Sequence, residues 1–187
     1  MQALANTLRE TSNWVSLQVD WRNAFNCMDR TTFLLAAATR STTLYNYLHY
    51  AYATPAPLFV GGTRLVSQCG THQGCPLGPI GFYLGLASMT ERLHKEAGLL
   101  WGVWYLDDGV LVGDPVCIQQ ALTYLETAGQ EIGLTLNRVK CVLWGPGASA
   151  VTEAASLITR NWSPGEAITV LGITVDKPGC IFQLGEA

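Results

Sequence analysis

The chain has 187 residues, nearly half of them apolar and only 13% charged, with a formal net charge of −3 at pH 7. That length and apolar content suffice for one domain with a sizeable core and exclude an intrinsically disordered chain. The acidic balance excludes the basic excess of a free-standing nucleic-acid binder, so any grip on phosphates must draw on other parts of the molecule.

Met1 to Asn13 shows no basic stretch followed by an apolar one, and no uninterrupted apolar run reaches the ~18 residues of a membrane span. A soluble intracellular protein with no membrane partner is expected, with nucleus and cytoplasm both open. Cys27, Cys69, Cys75, Cys117, Cys141 and Cys180 form no CxxC pair and no zinc spacing, so buried free thiols of a reducing compartment are expected.

In chain order, a short helix is expected within residues 1–13. Trp14 to Asp20 then alternates apolar and polar as a half-buried strand does, and ends on an acid. Asp29 or Thr31 would cap a helix through Phe33, Leu34, Leu35 and three alanines. Leu44, Tyr47, Leu48 and Ala51 make one face of a second helix, which Pro55 and Pro57 end. Gly61-Gly62 between Leu58-Phe59-Val60 and Arg64-Leu65-Val66 predicts a hairpin. The loop from Cys69 to Pro79 leads into a long helix from about Pro79 to Glu96.

A second hairpin is predicted over Val103 to Val112, with Asp107 and Asp108 at its tip. Asp114-Pro115 opens a helix with a stripe of Ile118, Ala121, Leu122, Leu125 and Ile132, and Gly133 closes it. Leu134 to Leu136 and Cys141 to Trp144 read as short strands, Val151 to Thr159 as a helix and Ile168 to Val175 as a strand. Strands and helices in this order predict an α+β layer, a mainly antiparallel sheet with helices packed on one face.

Two adjacent carboxylates at a hairpin tip repel each other. The repulsion is relieved either by solvent, as on an ordinary surface turn, or by a multivalent cation. Asp20 adds a third acid at the end of its strand. If that strand neighbours the hairpin, the three converge and suit a hard cation such as Mg²⁺.

The order of motifs resembles the palm domain of reverse transcriptases. Asp20-Trp21-Arg22-Asn23-Ala24-Phe25-Asn26 is similar to the family's first palm motif, Gln73-Gly74-Cys75-Pro76-Leu77-Gly78-Pro79 to the second, and Tyr105-Leu106-Asp107-Asp108 to the third. Gly133 to Lys140 is similar to the fourth and Leu171-Gly172 to the fifth. The Gln-Gly-x-Pro-Leu form and the Gly-Leu-x-Leu-Asn-x-x-Lys stretch resemble non-LTR (LINE-type) retrotransposon enzymes most, with group II intron-type enzymes also open. Members often have Ser where Gly78 stands.

The resemblance implies an RNA-directed DNA polymerase that joins dNTPs to a DNA primer 3′-OH on an RNA template. It implies two Mg²⁺ ions, with Mn²⁺ an alternative, held by Asp20 and Asp107 with Asp108 as partial ligand or electrostatic support. Phe25 would exclude a ribose 2′-OH, Gln73 and Gly74 would shape the floor beneath the nucleotide, and Lys140 would serve the leaving pyrophosphate. On the residues alone, Phe25 and Tyr105 read equally well as core aromatics and Lys140 as a solvated lysine. His49, His72 and His94 share no ligand spacing and read as structural or surface residues, and the tryptophans as packing.

Residues 1–187 are expected to be a single palm domain, a fragment from which the thumb and most of the fingers are absent. Two other classes stand beside this reading. One is a catalytically inactive relic serving as a scaffold or RNA-binding module; the other is an unrelated metal-dependent phosphoryl-transfer enzyme.

Overall fold

In the computed structural model, residues 12–72, 74–152, 157–159, 168–170 and 173–175 are described. The chain divides into two compact units, each assembled from separated stretches.

The first unit comprises Met1–Asp20, His94–Thr123 and Asn137–Ala187. It holds a five-stranded sheet in the order β4-β5-β1-β6-β7. The strands are β1 (Val15–Val19), β4 (Trp101–Tyr105), β5 (Asp108–Gly113), β6 (Val142–Trp144) and β7 (Ile158–Thr159). All pairs are antiparallel except β6 with β7, which run parallel.

Alternation in β1 suggests a half-buried strand, yet Ser16 is buried along with Val15, Leu17 and Val19. Ser16 pairs with Val112 of β5 and Trp144 of β6, and directly paired side chains share a face, so these two large neighbours flank it there. Trp14, Val110, Val112 and Trp144 form one core cluster, with Trp101 and Val103 against it. The Trp14 and Trp144 rings sit 5.1 Å apart. Each fully buried side chain of this kind contributes roughly 1.5–3 kcal/mol of apolar burial.

The second unit comprises Trp21–Leu93 and Tyr124–Leu136. It contains α1 (Ala24–Cys27), α2 (Arg30–Arg40) and α3 (Thr42–Tyr52), and the separate hairpin of β2 (Ala56–Val60) and β3 (Thr63–Ser67). Asp29 caps α2 by accepting from the Thr32 N–H at 2.9 Å, and Ser41 caps α3 through Leu44. Gly61 and Gly62 turn the hairpin with φ of 55° and 81°. Met28, Phe33, Ala37, Leu48, Tyr52 and Phe82 are buried, and Tyr52 meets Phe33 edge-on at 5.5 Å. Tyr47, expected on the inner face of α3, is 62% exposed, so the packed stripe there is Leu48 and Tyr52.

Two longer helices are α4 (Gly78–Glu96) and α5 (Pro115–Glu131). Asp114 caps α5, its Oδ1 accepting from the N–H groups of Val116 and Cys117 at 2.8 and 2.9 Å. No described helix is long and apolar enough to cross a membrane.

Several local expectations are corrected. The helix expected over Val151–Thr159 does not reach its predicted end, where Ile158–Thr159 pairs with β6; a 3₁₀ turn stands at Ala148–Ala150, and residues 153–156 lie outside the described residues. Pairing with β6 decides the conformation of Ile158 and Thr159, whose β-branched side chains suit a sheet. Ile168–Val175 is two antiparallel strands, β8 (Ile168–Val170) and β9 (Ile173–Val175). Leu134–Leu136 contributes a single bridge between Leu136 and Trp21 and no strand. Of the five described cysteines only Cys141 is buried, and Cys69 is exposed. Residues 1–11 and Cys180 lie outside the described residues.

Candidate active site

The site is set by strand register. Val19 of β1 pairs with Gly109 of β5, and Tyr105 pairs with Asp108 across the β4–β5 turn. Continuing the β1–β5 ladder by one residue places Asp20 opposite Asp108, with Asp107 in the adjoining turn. Asp20 and the adjacent pair Asp107 and Asp108, distant in sequence, thus reach one end of one sheet.

Asp20 is held by its backbone. Its carbonyl accepts from the Asn137 N–H at 2.9 Å, and its N–H points at Cys141 Sγ at 3.5 Å. Its Oδ1, in contrast, is buried and accepts no hydrogen bond. A buried carboxylate oxygen without a donor is costly unless a cation compensates it. Burial, and then the charges of Asp107 and Asp20, push the Asp108 carboxyl above its ordinary range.

This edge carries three carboxylates, and their oxygens are the donor set hard cations prefer. The chemistry therefore fits Mg²⁺ or Mn²⁺. As the side chains stand, no group of three acids, histidines or cysteines among the described residues is closed enough to hold a metal ion. What the backbone does is bring the acids to one edge.

The turn itself is strained. Leu106 has φ of 54°, a conformation that costs a non-glycine residue roughly 1–2 kcal/mol. Gly109, next after the acids, lies under the Trp104 ring, and a Cβ there would meet Trp104 Cζ3 at 2.4 Å. Lys140 stands exposed in the turn that follows Asn137, its N–H donating to the Asn137 carbonyl at 2.8 Å. It directly precedes Cys141, the residue that touches the Asp20 backbone.

In the second unit, Phe25 on α1 is half-buried and stacks on Phe82 of α4, with centroids 4.5 Å apart and planes 19° off parallel. Gly74 is exposed with φ of 85°, and a Cβ built on it would meet nothing within 4 Å. Its conformation, and not crowding from the chain, is what requires glycine there. Gln73, Leu171 and Gly172 lie outside the described residues. His72 is a structural residue, its Nε2 3.1 Å from Ser67 Oγ, whereas His49 and His94 are exposed.

A model of the reverse transcriptase (RNA-dependent DNA polymerase) family matches residues 2–175. The chain belongs to the reverse transcriptase family. Among solved structures it is similar to telomerase from Candida albicans in complex with a fragment of telomeric RNA, at TM-score 0.64 and 13% identity over 94% of this chain. It is also similar to apo telomerase from Candida tropicalis, at TM-score 0.52 and 11% identity over 93% of this chain. At such identities the likeness is one of fold. The chain spans about a third of those proteins, 32% and 36% of their respective lengths. No curated protein matches it in sequence.

As a reverse transcriptase domain it departs from the usual second motif at Gly78, and the packing supplies a reason. A Cβ at Gly78 would come 3.0 Å from the His72 carbonyl oxygen and 3.6 Å from Thr71 Oγ1. The Thr71 hydroxyl is buried and unpartnered, so the side chain missing at Gly78 faces a polar group that lacks a mate. Reading the sequence alone misses Phe82, Cys141, Leu106 and Gly109. Only the last two leave a signal, since a two-residue turn needs a positive φ and the sequence offers no glycine until after the acids.

Proposed function

We propose that this reverse transcriptase domain is the catalytic palm of an RNA-directed DNA polymerase of non-LTR retrotransposon type. The observation that carries the reading is the meeting of Asp20, Asp107 and Asp108 at one sheet edge, with Asp20 Oδ1 buried and unpaired. The two motif forms around Gln73 and Lys140 support the non-LTR assignment over the retroviral one.

In this reaction a DNA primer 3′-OH, aligned on an RNA template, attacks the α-phosphorus of a dNTP. A new P–O bond forms, the α–β bond breaks and pyrophosphate leaves. Divalent ions at such a site polarise the attacking hydroxyl and neutralise charge on the phosphates. Asp20 and Asp107 would hold them, and Asp108 would strengthen the negative field. Lys140 would place its ammonium against the departing pyrophosphate. Phe25 would block a ribose 2′-OH by bulk, which a flat ring stacked on Phe82 can do without yielding. Gln73 and the open backbone of Gly74 would form the floor beneath the base pair. The rest of the parent protein, fingers and thumb included, would supply most phosphate contacts and hold the RNA template and DNA primer.

The test is primer extension on an RNA template by the full-length parent, with an Asp107→Ala control. Extension that disappears with the substitution is expected. Extension that survives it removes the proposed site, and a parent that never extends points to an inactive relic.

A further inference from the structure

Arg30 is the first residue of α2 and is buried to 6% exposure. Nothing in the reading above uses it. Backbone carbonyls, the Ser67 hydroxyl and the His72 ring surround it. Nε donates to the Gly70 carbonyl at 2.9 Å, and Nη1 to the carbonyls of Ser67 at 3.0 Å and Tyr52 at 3.5 Å. Nη2 donates to Ser67 Oγ at 2.9 Å and to the Cys69 carbonyl at 3.2 Å. The N–H donors of the guanidinium are therefore met by acceptors from the end of α3, the end of β3 and the loop beyond, where His72 Nε2 also lies 3.4 Å from Nη2. The planar cation also lies over the Tyr52 ring, 5.4 Å from its centroid.

The loop so gripped is pressed against the backbone that carries Phe25. The Gly70 N–H donates to the Met28 carbonyl at 2.7 Å, and the Thr71 N–H to the Phe25 carbonyl at 2.6 Å. Gly70 has φ of 68°, and a Cβ on it would fall 2.3 Å from the Asn26 carbonyl carbon. Two backbone hydrogen bonds and an approach with no room for a side chain thus join the loop to the α1 segment. Two residues beyond Thr71 the chain reaches Gln73-Gly74.

We propose that Arg30 is a positioning residue that sets the dNTP-binding surface, locking the loop before Gln73-Gly74 to the Phe25 backbone through its hold on Ser67, Cys69 and Gly70. The proposal rests on the polymerase reading of Phe25 and Gln73. A lysine could not replace it, since an ammonium is a compact point charge with three donors and cannot reach carbonyls spread around a plane.

The test compares Arg30→Lys with wild type in the full-length parent. The readouts are the KM for dNTP, the preference for dNTP over rNTP, the active fraction from burst kinetics, and hydrogen exchange of the peptide containing Gly70 and Thr71. Arg30→Lys is expected to raise KM roughly tenfold to a hundredfold, to erode the preference for dNTP and to speed exchange, at an unchanged active fraction. A purely structural role would lower only the active fraction, and that result overturns the proposal. Ser67→Ala keeps the buried cation but removes one acceptor, so it should shift KM, preference and exchange in the same direction by a smaller factor even if Arg30→Lys fails to fold. An inactive wild-type parent removes the polymerase reading and the role of Arg30 with it. An active parent whose KM, preference and exchange are unmoved in the folded variants removes the role of Arg30 alone.

Discussion

Asp20 is fixed at its backbone by Asn137 and Cys141 while one carboxylate oxygen is buried without a donor. Asp107→Ala is expected to lower nucleotide incorporation on the order of 10³-fold, measured as single-turnover primer extension. Asp108→Asn should act in two directions. It removes a carboxylate that burial, Asp107 and Asp20 all disfavour, so the thermal midpoint at pH 7 should rise slightly while incorporation falls. A variant that lost stability would contradict the repulsion inferred at this edge. Phe25→Ala should admit ribonucleotides at least roughly tenfold better, read as the ratio of kcat/KM for dNTP and rNTP, and an unchanged ratio would remove Phe25 as the gate.

At the scale of elements, caps and turns decide what the sequence makes legible. Asp29 and Asp114 announce their helices because a cap is a local bond, complete within three residues. Asp114→Ala should cost about 1 kcal/mol at neutral pH, measured by denaturant titration. The Cys117 N–H, chiefly, holds the Asp114 carboxyl below its ordinary range. The cap's contribution is thus fully present above the ordinary carboxylate pKa and is lost as pH falls through the lowered folded value, so the deficit of the alanine variant should shrink in acid. Gly70→Ala joins a positive φ to a clash with the Asn26 backbone and should destabilise by about 3 kcal/mol. Such non-local crowding leaves no mark in the sequence around Gly70. Nor does the parallel pairing that draws Ile158–Thr159 to β6, which is why that stretch reads as a helix until the sheet is seen.

For the whole molecule, the mixed α and antiparallel β fold and three of the proposed site acids follow from the sequence, because the motifs are short, ordered and chemically unusual. Sequence order alone does not say that β1 lies between β5 and β6, and that placement is what sets Asp20 opposite Asp108. The same holds for Phe82 under Phe25 and for the carbonyls around Arg30, contacts between residues 22 to 57 apart in the chain whose partners no local pattern names. The sheet edge bearing Asp20, Asp107 and Asp108 is proposed to hold divalent metal ions. Electron paramagnetic resonance of Mn²⁺ titrated into the full-length parent tests it most directly. Wild type should bind Mn²⁺, with binding weakened at least roughly tenfold in Asp20→Asn and in Asp107→Asn but retained in Asp114→Asn. Equal binding by all four proteins would contradict it.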